Sequence, residues 1–196
     1  MKKKIIHSLL TSTVLFFGAS LNAQEQIFKV GDKAPLFSGT THNGQIFNLQ
    51  NELKNNAIVL LFYRGFWCPY CNKQLSQLND SLSYILEKGA RVIAITPEIA
   101  ESVNKTIAKT KASFDIMSDT TYSILKQYGV HFKMEDKLVE RYKGFGIDIA
   151  KTNGNNENIL PIPGVFIIAR DGTFKYIFFN ADYKKRPSVK ELTDNL

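Results

Sequence analysis

The chain holds only two cysteines among its 196 residues, Cys68 and Cys71. That excludes a disulfide-braced scaffold and a four-cysteine zinc site. The three histidines, His7, His42 and His131, are scattered, and no second cysteine pair exists to complete a metal set. No metal and no cofactor is therefore expected. The one long apolar stretch, near the N-terminus, is broken by polar residues and makes a weak membrane span. Lysine and arginine exceed aspartate and glutamate by 25 to 18, yet beyond Lys2–Lys4 the basic residues cluster only at Lys184–Lys185–Arg186. Nucleic-acid binding is not called for. Repeats and dividing linkers are absent. What remains, 44% hydrophobic and 22% charged, is the composition of one globular domain with a sizeable core.

Residues 1–23 read as a secretory signal peptide. Lys2–Lys4 precede an apolar run from Leu9 to Leu21, followed by Asn22–Ala23. Thr11, Ser12, Thr13, Gly18 and Ser20 interrupt the run, which weakens the alternative of an uncleaved membrane anchor. The expected destination is the periplasm, an oxidising compartment in which disulfides persist.

The two cysteines sit at the strongest local signal. Ala57 to Tyr63 is a short apolar run suited to a strand buried on both faces. Arg64–Gly65 ends it. Pro69 suits a first helical position, because it lacks an N–H and has its φ preset. From there Leu75, Leu78, Leu82, Ile85 and Leu86 recur at helical spacing, predicting one long helix that Gly89 closes. Cys68 is thus placed at a helix start and Cys71 in its first turn. Free N–H groups and the positive dipole end favour a thiolate there. Such a pair can titrate well below the free value of about 8.5, and Arg64 adds positive charge. A purely structural disulfide would close a tiny loop and stabilise little. Covalent haem attachment would need histidine after the second cysteine, where Asn72 stands.

The remaining segments alternate. Asn43–Gly44 marks a hairpin turn, with His42 read as a surface residue beside it. Ala90 to Thr96 predicts a second buried strand, and Pro97 opens a helix over about 98–110. Phe114 to Asp119 reads as a short edge segment, and Tyr122, Leu125 and Tyr128 as a helix ended by Gly129. Residues 131–159 are polar and irregular, with helix possible at 134–141 and a loop at 152–158, an insertion near the site. Val165 to Ala169 is a third apolar strand, turned by Asp171–Gly172 into Phe174–Phe179. Ser188 caps a closing helix. This order implies a mainly parallel sheet with helices on both faces.

Several motifs carry a family likeness. Gly31–Asp32–Lys33–Ala34–Pro35, Phe62–Tyr63–Arg64–Gly65, Trp67–Cys68–Pro69–Tyr70–Cys71, Pro163–Gly164–Val165–Phe166 and Ala181–Asp182–Tyr183–Lys184–Lys185–Arg186 together resemble the peroxiredoxin-like branch of the AhpC/TSA family. The resemblance implies one α/β domain over residues 27–196 with the thioredoxin-like fold, a central mixed, mainly parallel sheet flanked by helices. It implies a cis Pro163 facing the cysteine pair and shaping a substrate groove with Arg64, Trp67 and Pro69. Cys71 falls at the family's peroxidatic position, and Cys68 where that family usually has threonine. Pro163 replaces the family's arginine, leaving Arg64 or Arg170 as substitutes. Asn55 and Asn56 stand where thioredoxins carry a buried acid, so proton transfer would use solvent.

Two enzymatic expectations follow. In the first, the chain is a thiol-dependent peroxidase: Cys71 reduces a hydroperoxide, Cys68 resolves, and a thioredoxin-like or other dithiol donor recycles the pair. In the second, it is a thiol–disulfide oxidoreductase in which Cys68, read as the more exposed thiol, attacks protein disulfides. A non-enzymatic binding module is the third reading.

Overall fold

The computed structural model describes residues 27–196, so the expected signal segment 1–23 lies outside the described residues. In chain order, β1 (Ser38–Thr40) and β2 (Ile46–Asn48) form a small hairpin, followed by α1 (Leu49–Glu52), β3 (Ala57–Phe62), α2 (Pro69–Asp80), α3 (Leu82–Glu87), β4 (Ala90–Thr96), α4 (Ala100–Thr110), β5 (Asp115–Ser118) and α5 (Ser123–Gln127). Then come β6 (His131–Lys133), α6 (Asp136–Gly144), α7 (Ile149–Asn153), β7 (Ile159–Pro161), β8 (Gly164–Ile168), β9 (Phe174–Phe179) and α8 (Val189–Asp194).

The central sheet has the order β5-β4-β3-β8-β9. β3 pairs parallel with β4 and β4 with β5, while β8 runs antiparallel to β3 and β9 antiparallel to β8. Four of the five strands therefore point the same way, the mixed, mainly parallel sheet expected from the sequence. β3 lies in the middle and is buried on both faces, as its uninterrupted apolar composition requires. Because successive side chains alternate, Ile58, Leu60 and Phe62 enter one core with α1 and α5, and Val59, Leu61 and Tyr63 enter the other with α2, α3, α4 and α8. Both cysteines belong to the second core.

Three expected boundaries differ. The long helix after Pro69 is two helices, broken at Ser81 (φ −108°, ψ 9°). Serine is a weak helix former, and the preceding Asn79 is engaged elsewhere: its Oδ1 accepts from Ser113 N at 2.8 Å and Ser113 Oγ at 2.9 Å. The helix after Pro97 begins at Ala100, since Glu98 is withdrawn into the core. Residues 131–159 are not irregular. β6 and β7 pair, α6 and α7 pack through Met134, Val139, Ile149 and Leu160, and Trp67 lies against that small cluster. His42 is exposed, as expected, though its Nδ1 accepts from Ile116 N at 3.2 Å.

No cis peptide bond occurs among the described residues, so Pro163 is trans, contrary to the expectation drawn from the resemblance. Trans is the lower-energy isomer of an X–Pro bond. Here the flanking chain already sets the direction: Pro161 pairs with His131, Ile162 N donates to Val130 O at 2.6 Å, and Gly164 pairs with Phe62.

Candidate active site

The site is built at the C-terminal end of β3, where the chain leaves the sheet through Tyr63–Arg64–Gly65–Phe66–Trp67 and starts α2. Cys68 is the N-cap, with extended backbone (φ −89°, ψ 107°), and Pro69 occupies the first turn. Cys68 Sγ takes the acceptor role usually filled by a serine or aspartate oxygen, receiving Cys71 N–H at 3.3 Å. Cys68 and Cys71 are joined by a disulfide, with Cα atoms 5.3 Å apart. The sequence places this pair correctly.

A guanidinium attends each sulfur. Arg64 Nη2 lies 3.5 Å from Cys68 Sγ, and Arg186 Nη2 lies 3.6 Å from Cys71 Sγ. Arg64 is 4% exposed and forms no ion pair with a carboxylate among the described residues. It is held instead by Tyr142 Oη, which accepts from Nη1 at 3.1 Å, and by the rings of Tyr183 (4.0 Å) and Trp67 (5.3 Å). Burial and the neighbouring Arg64 charge lower the pKa of Arg186 to about 10. Two positive charges so placed, without a buried carboxylate against either, leave the sulfurs as the anions they can stabilise.

Both sulfurs are fully covered, at 0% exposure, which corrects the expectation that Cys68 is the more exposed thiol. The cover is the guanidinium of Arg64, Trp67 and the 181–187 segment, whose Tyr183 lies against the Arg64 guanidinium and meets Tyr70 edge to face.

The turn before the cysteines is pinned by an acid that sequence reasoning missed. Glu98 is fully buried; its Oε1 accepts Phe66 N at 2.8 Å and its Oε2 accepts Thr106 Oγ1 at 3.1 Å. Burial raises its pKa above 4.5, and the same burial, with the Glu98 charge second, raises that of Tyr63. Gly65 (φ 154°) is required here, since a Cβ would stand 2.5 Å from Trp67 Nε1 and 2.9 Å from Glu98 Oε1.

Of the other expected site residues, Pro69 opens α2 on the exposed side and Trp67 flanks the pair. Pro163 is buried one residue beyond the Gly164–Phe62 pair, at the same end of the sheet as the cysteines. Arg170 is not there. β8 enters the sheet beside Phe62 and leaves beside Ile58, which carries Arg170 to the opposite end, against Asn55 and Lys88. Arg186 takes the place expected for it. Its motif was visible in the sequence, but no spacing rule connects a residue 115 positions away to Cys71. Tyr142 was hidden in the same way, and Glu98 had no marker beyond being an acid among apolar neighbours.

The geometry has counterparts elsewhere. A putative peroxiredoxin bcp of Coxiella burnetii is 28% identical over 116 residues, covering 59% of this chain and 76% of that protein. The thiol-disulfide oxidoreductase ResA of Bacillus cereus is 28% identical over 151 residues, covering 76% of this chain and 69% of that protein. The crystal structure of peroxidoxin BcpB from Mycobacterium tuberculosis superposes with a TM-score of 0.62 at 18% identity, covering 77% of this chain and 85% of the other, which establishes the thioredoxin-like fold. The AhpC/TSA family model matches residues 30–177, well over half of the sequence, and the chain belongs to that family.

Proposed function

We propose that this chain is a thiol-dependent peroxidase. The reduced Cys71 thiolate attacks the terminal oxygen of a hydroperoxide, the O–O bond breaks, and the alkoxide leaves as an alcohol after taking a proton. Cys71 becomes a sulfenic acid. Cys68 thiolate then attacks that sulfur and expels hydroxide, which leaves as water, giving the Cys68–Cys71 disulfide. Arg186 neutralises charge at Cys71, and Arg64 with the Cys71 N–H does so at Cys68. An external thiol donor, one dithiol of the thioredoxin type or two monothiols, returns two electrons. Export through residues 1–23 is part of this proposal; fractionation of the expressed full chain tests it.

The observation that carries the reading is the burial of both sulfurs beneath Trp67 and the 181–187 segment. Once the 181–187 segment shifts, the opening a hydroperoxide needs is far smaller than the surface a protein disulfide needs. The similarity to ResA and the N-cap position of Cys68 favour the second reading, attack by Cys68 on protein disulfides. Stopped-flow peroxide reduction separates them. Cys71→Ser is expected to lose at least about a thousandfold in peroxide rate constant, the scale lost when a nucleophile is removed. Retained peroxide reduction in that variant, or its capture of protein partners as mixed disulfides through Cys68, would overturn the peroxidase assignment.

A further inference from the structure

Beside the cysteine pair, between the first turns of α2 and the segment before α8, lies an open cleft of about 330 Å³. Its walls include Tyr70, Lys73, Gln74, Lys184 and Arg186, and among the described residues no acidic side chain lines it. Asp182, the acid that acts on the Arg186 charge, is not among its walls. Gln74 is only 5% exposed, yet among the described residues its amide Nε2 has no hydrogen-bond partner, and neither has Arg186 Nε. A buried donor without an acceptor is destabilising, so such groups ask for an explanation. Three cations and two orphaned donors are the chemistry of an anion site.

We propose that this cleft is a subsite for a carboxylate-bearing small thiol, the molecule that reduces the disulfide. The inference rests on the proposed redox cycle of the pair and names its electron donor by class. Position supports it, because Arg186 bridges cleft and chemistry: it lines the cleft while its Nη2 reaches Cys71 Sγ. State supports it as well, since the cleft is open in the disulfide form, the form a reductant meets. Size fits, as small-molecule sites span roughly 300–1,000 Å³.

The donor carboxylate binds among Lys73, Lys184 and Gln74, and the 181–187 segment shifts to uncover the sulfur. The donor thiolate attacks Cys71 Sγ, the Cys68–Cys71 bond breaks, and Cys68 leaves as a thiolate held by Arg64 and the Cys71 N–H. A second donor thiolate attacks the first donor's sulfur and releases Cys71 beside Arg186. Two donor thiols become one donor disulfide, and the protein pair gains two electrons.

The test uses the oxidised protein without peroxide, so it stays readable even if the peroxidase assignment fails. Reduction is followed by the fluorescence of the single tryptophan, Trp67, with 3-mercaptopropionate and with 2-mercaptoethanol as probes. Per thiolate, the carboxylate probe is expected to react at least about tenfold faster at low salt, as local concentration of an anion by a basic cleft implies. The advantage should vanish in Lys73→Gln/Lys184→Gln and in about 1 M salt, where the Debye length is about 3 Å. Propionate should slow the first probe and leave the second untouched, a check that needs no variant. Equal rates for both probes in the natural protein, or an advantage that survives the double substitution, would overturn the proposal.

Discussion

The two faces of the central sheet are built from the same strands and hold opposite kinds of interior. The face carrying Phe37, Phe47, Phe62, Tyr128, Phe166 and Phe174 is a web of ring contacts, with centroids 5.4–6.2 Å apart. Its polar handle, Tyr128 Oη, donates to Pro35 O at 2.8 Å. Around the cysteine face, buried polar atoms accumulate without partners. Among the described residues, Arg64 Nε, Trp67 Nε1, Asn72 Oδ1, Gln74 Nε2 and Arg186 Nε are such atoms. The arginines repeat the contrast. Arg91, partly exposed, binds Glu52 and Asp115, each at 2.7 Å, while the buried Arg64 has no carboxylate partner among the described residues. One face supplies stability; the other carries polar groups at a cost and brings two guanidiniums to two sulfurs.

If this division holds, damage to the aromatic face should change stability and leave chemistry alone. Phe166→Ala, at a residue 1% exposed that packs on Phe62, Tyr128 and Phe174, should cost about 3–5 kcal/mol in urea unfolding. The peroxide rate constant per folded molecule should not move; a large drop would break the comparison. On the other face the pattern should reverse. Arg186→Gln removes a charge-assisted contact worth about 1.5–3 kcal/mol to the charged Cys71 sulfur. That corresponds to a thiol pKa higher by about 1–2 units, and so to a rate about 10–100-fold lower at mildly acidic pH. A rate within twofold of the parent protein would contradict the role assigned to Arg186.

Glu98 sharpens the comparison by pH. Its folded pKa lies above 4.5 because of burial. The folded protein therefore binds its proton more tightly than the unfolded chain. Its contribution to stability is complete below about pH 4.5 and is lost as pH rises through the folded value, with a slope of up to about 1.4 kcal/mol per pH unit. Glu98→Gln should flatten that part of the stability curve measured by urea midpoints. A curve identical to that of the natural protein would mean the carboxyl titrates normally.

How much of this was legible in the sequence depends on whether the signal was local. β3, β4, β8 and β9, the Asp171–Gly172 turn and the Ser188 cap were readable because apolar runs and turn residues act over a few positions. Cys68 and Cys71 were readable for the same reason, being placed by the strand before them and Pro69 between them. The break at Ser81 was not, since Asn79 is drawn off by Ser113, a residue 34 positions away. Arg186, Tyr142 and Glu98 reach the site only through tertiary packing, from three different elements. Pro163 was assigned a cis bond by family likeness alone, and the chain around it runs trans.

Ultraviolet titration of the thiolates in the reduced protein tests the central claim, that two guanidiniums and a helix start hold sulfur as an anion. At least one of Cys68 and Cys71 should ionise well below the free-thiol value of about 8.5, and Arg64→Gln should raise that midpoint. Both sulfurs still protonated at neutral pH, with a midpoint indifferent to Arg64, would contradict the account.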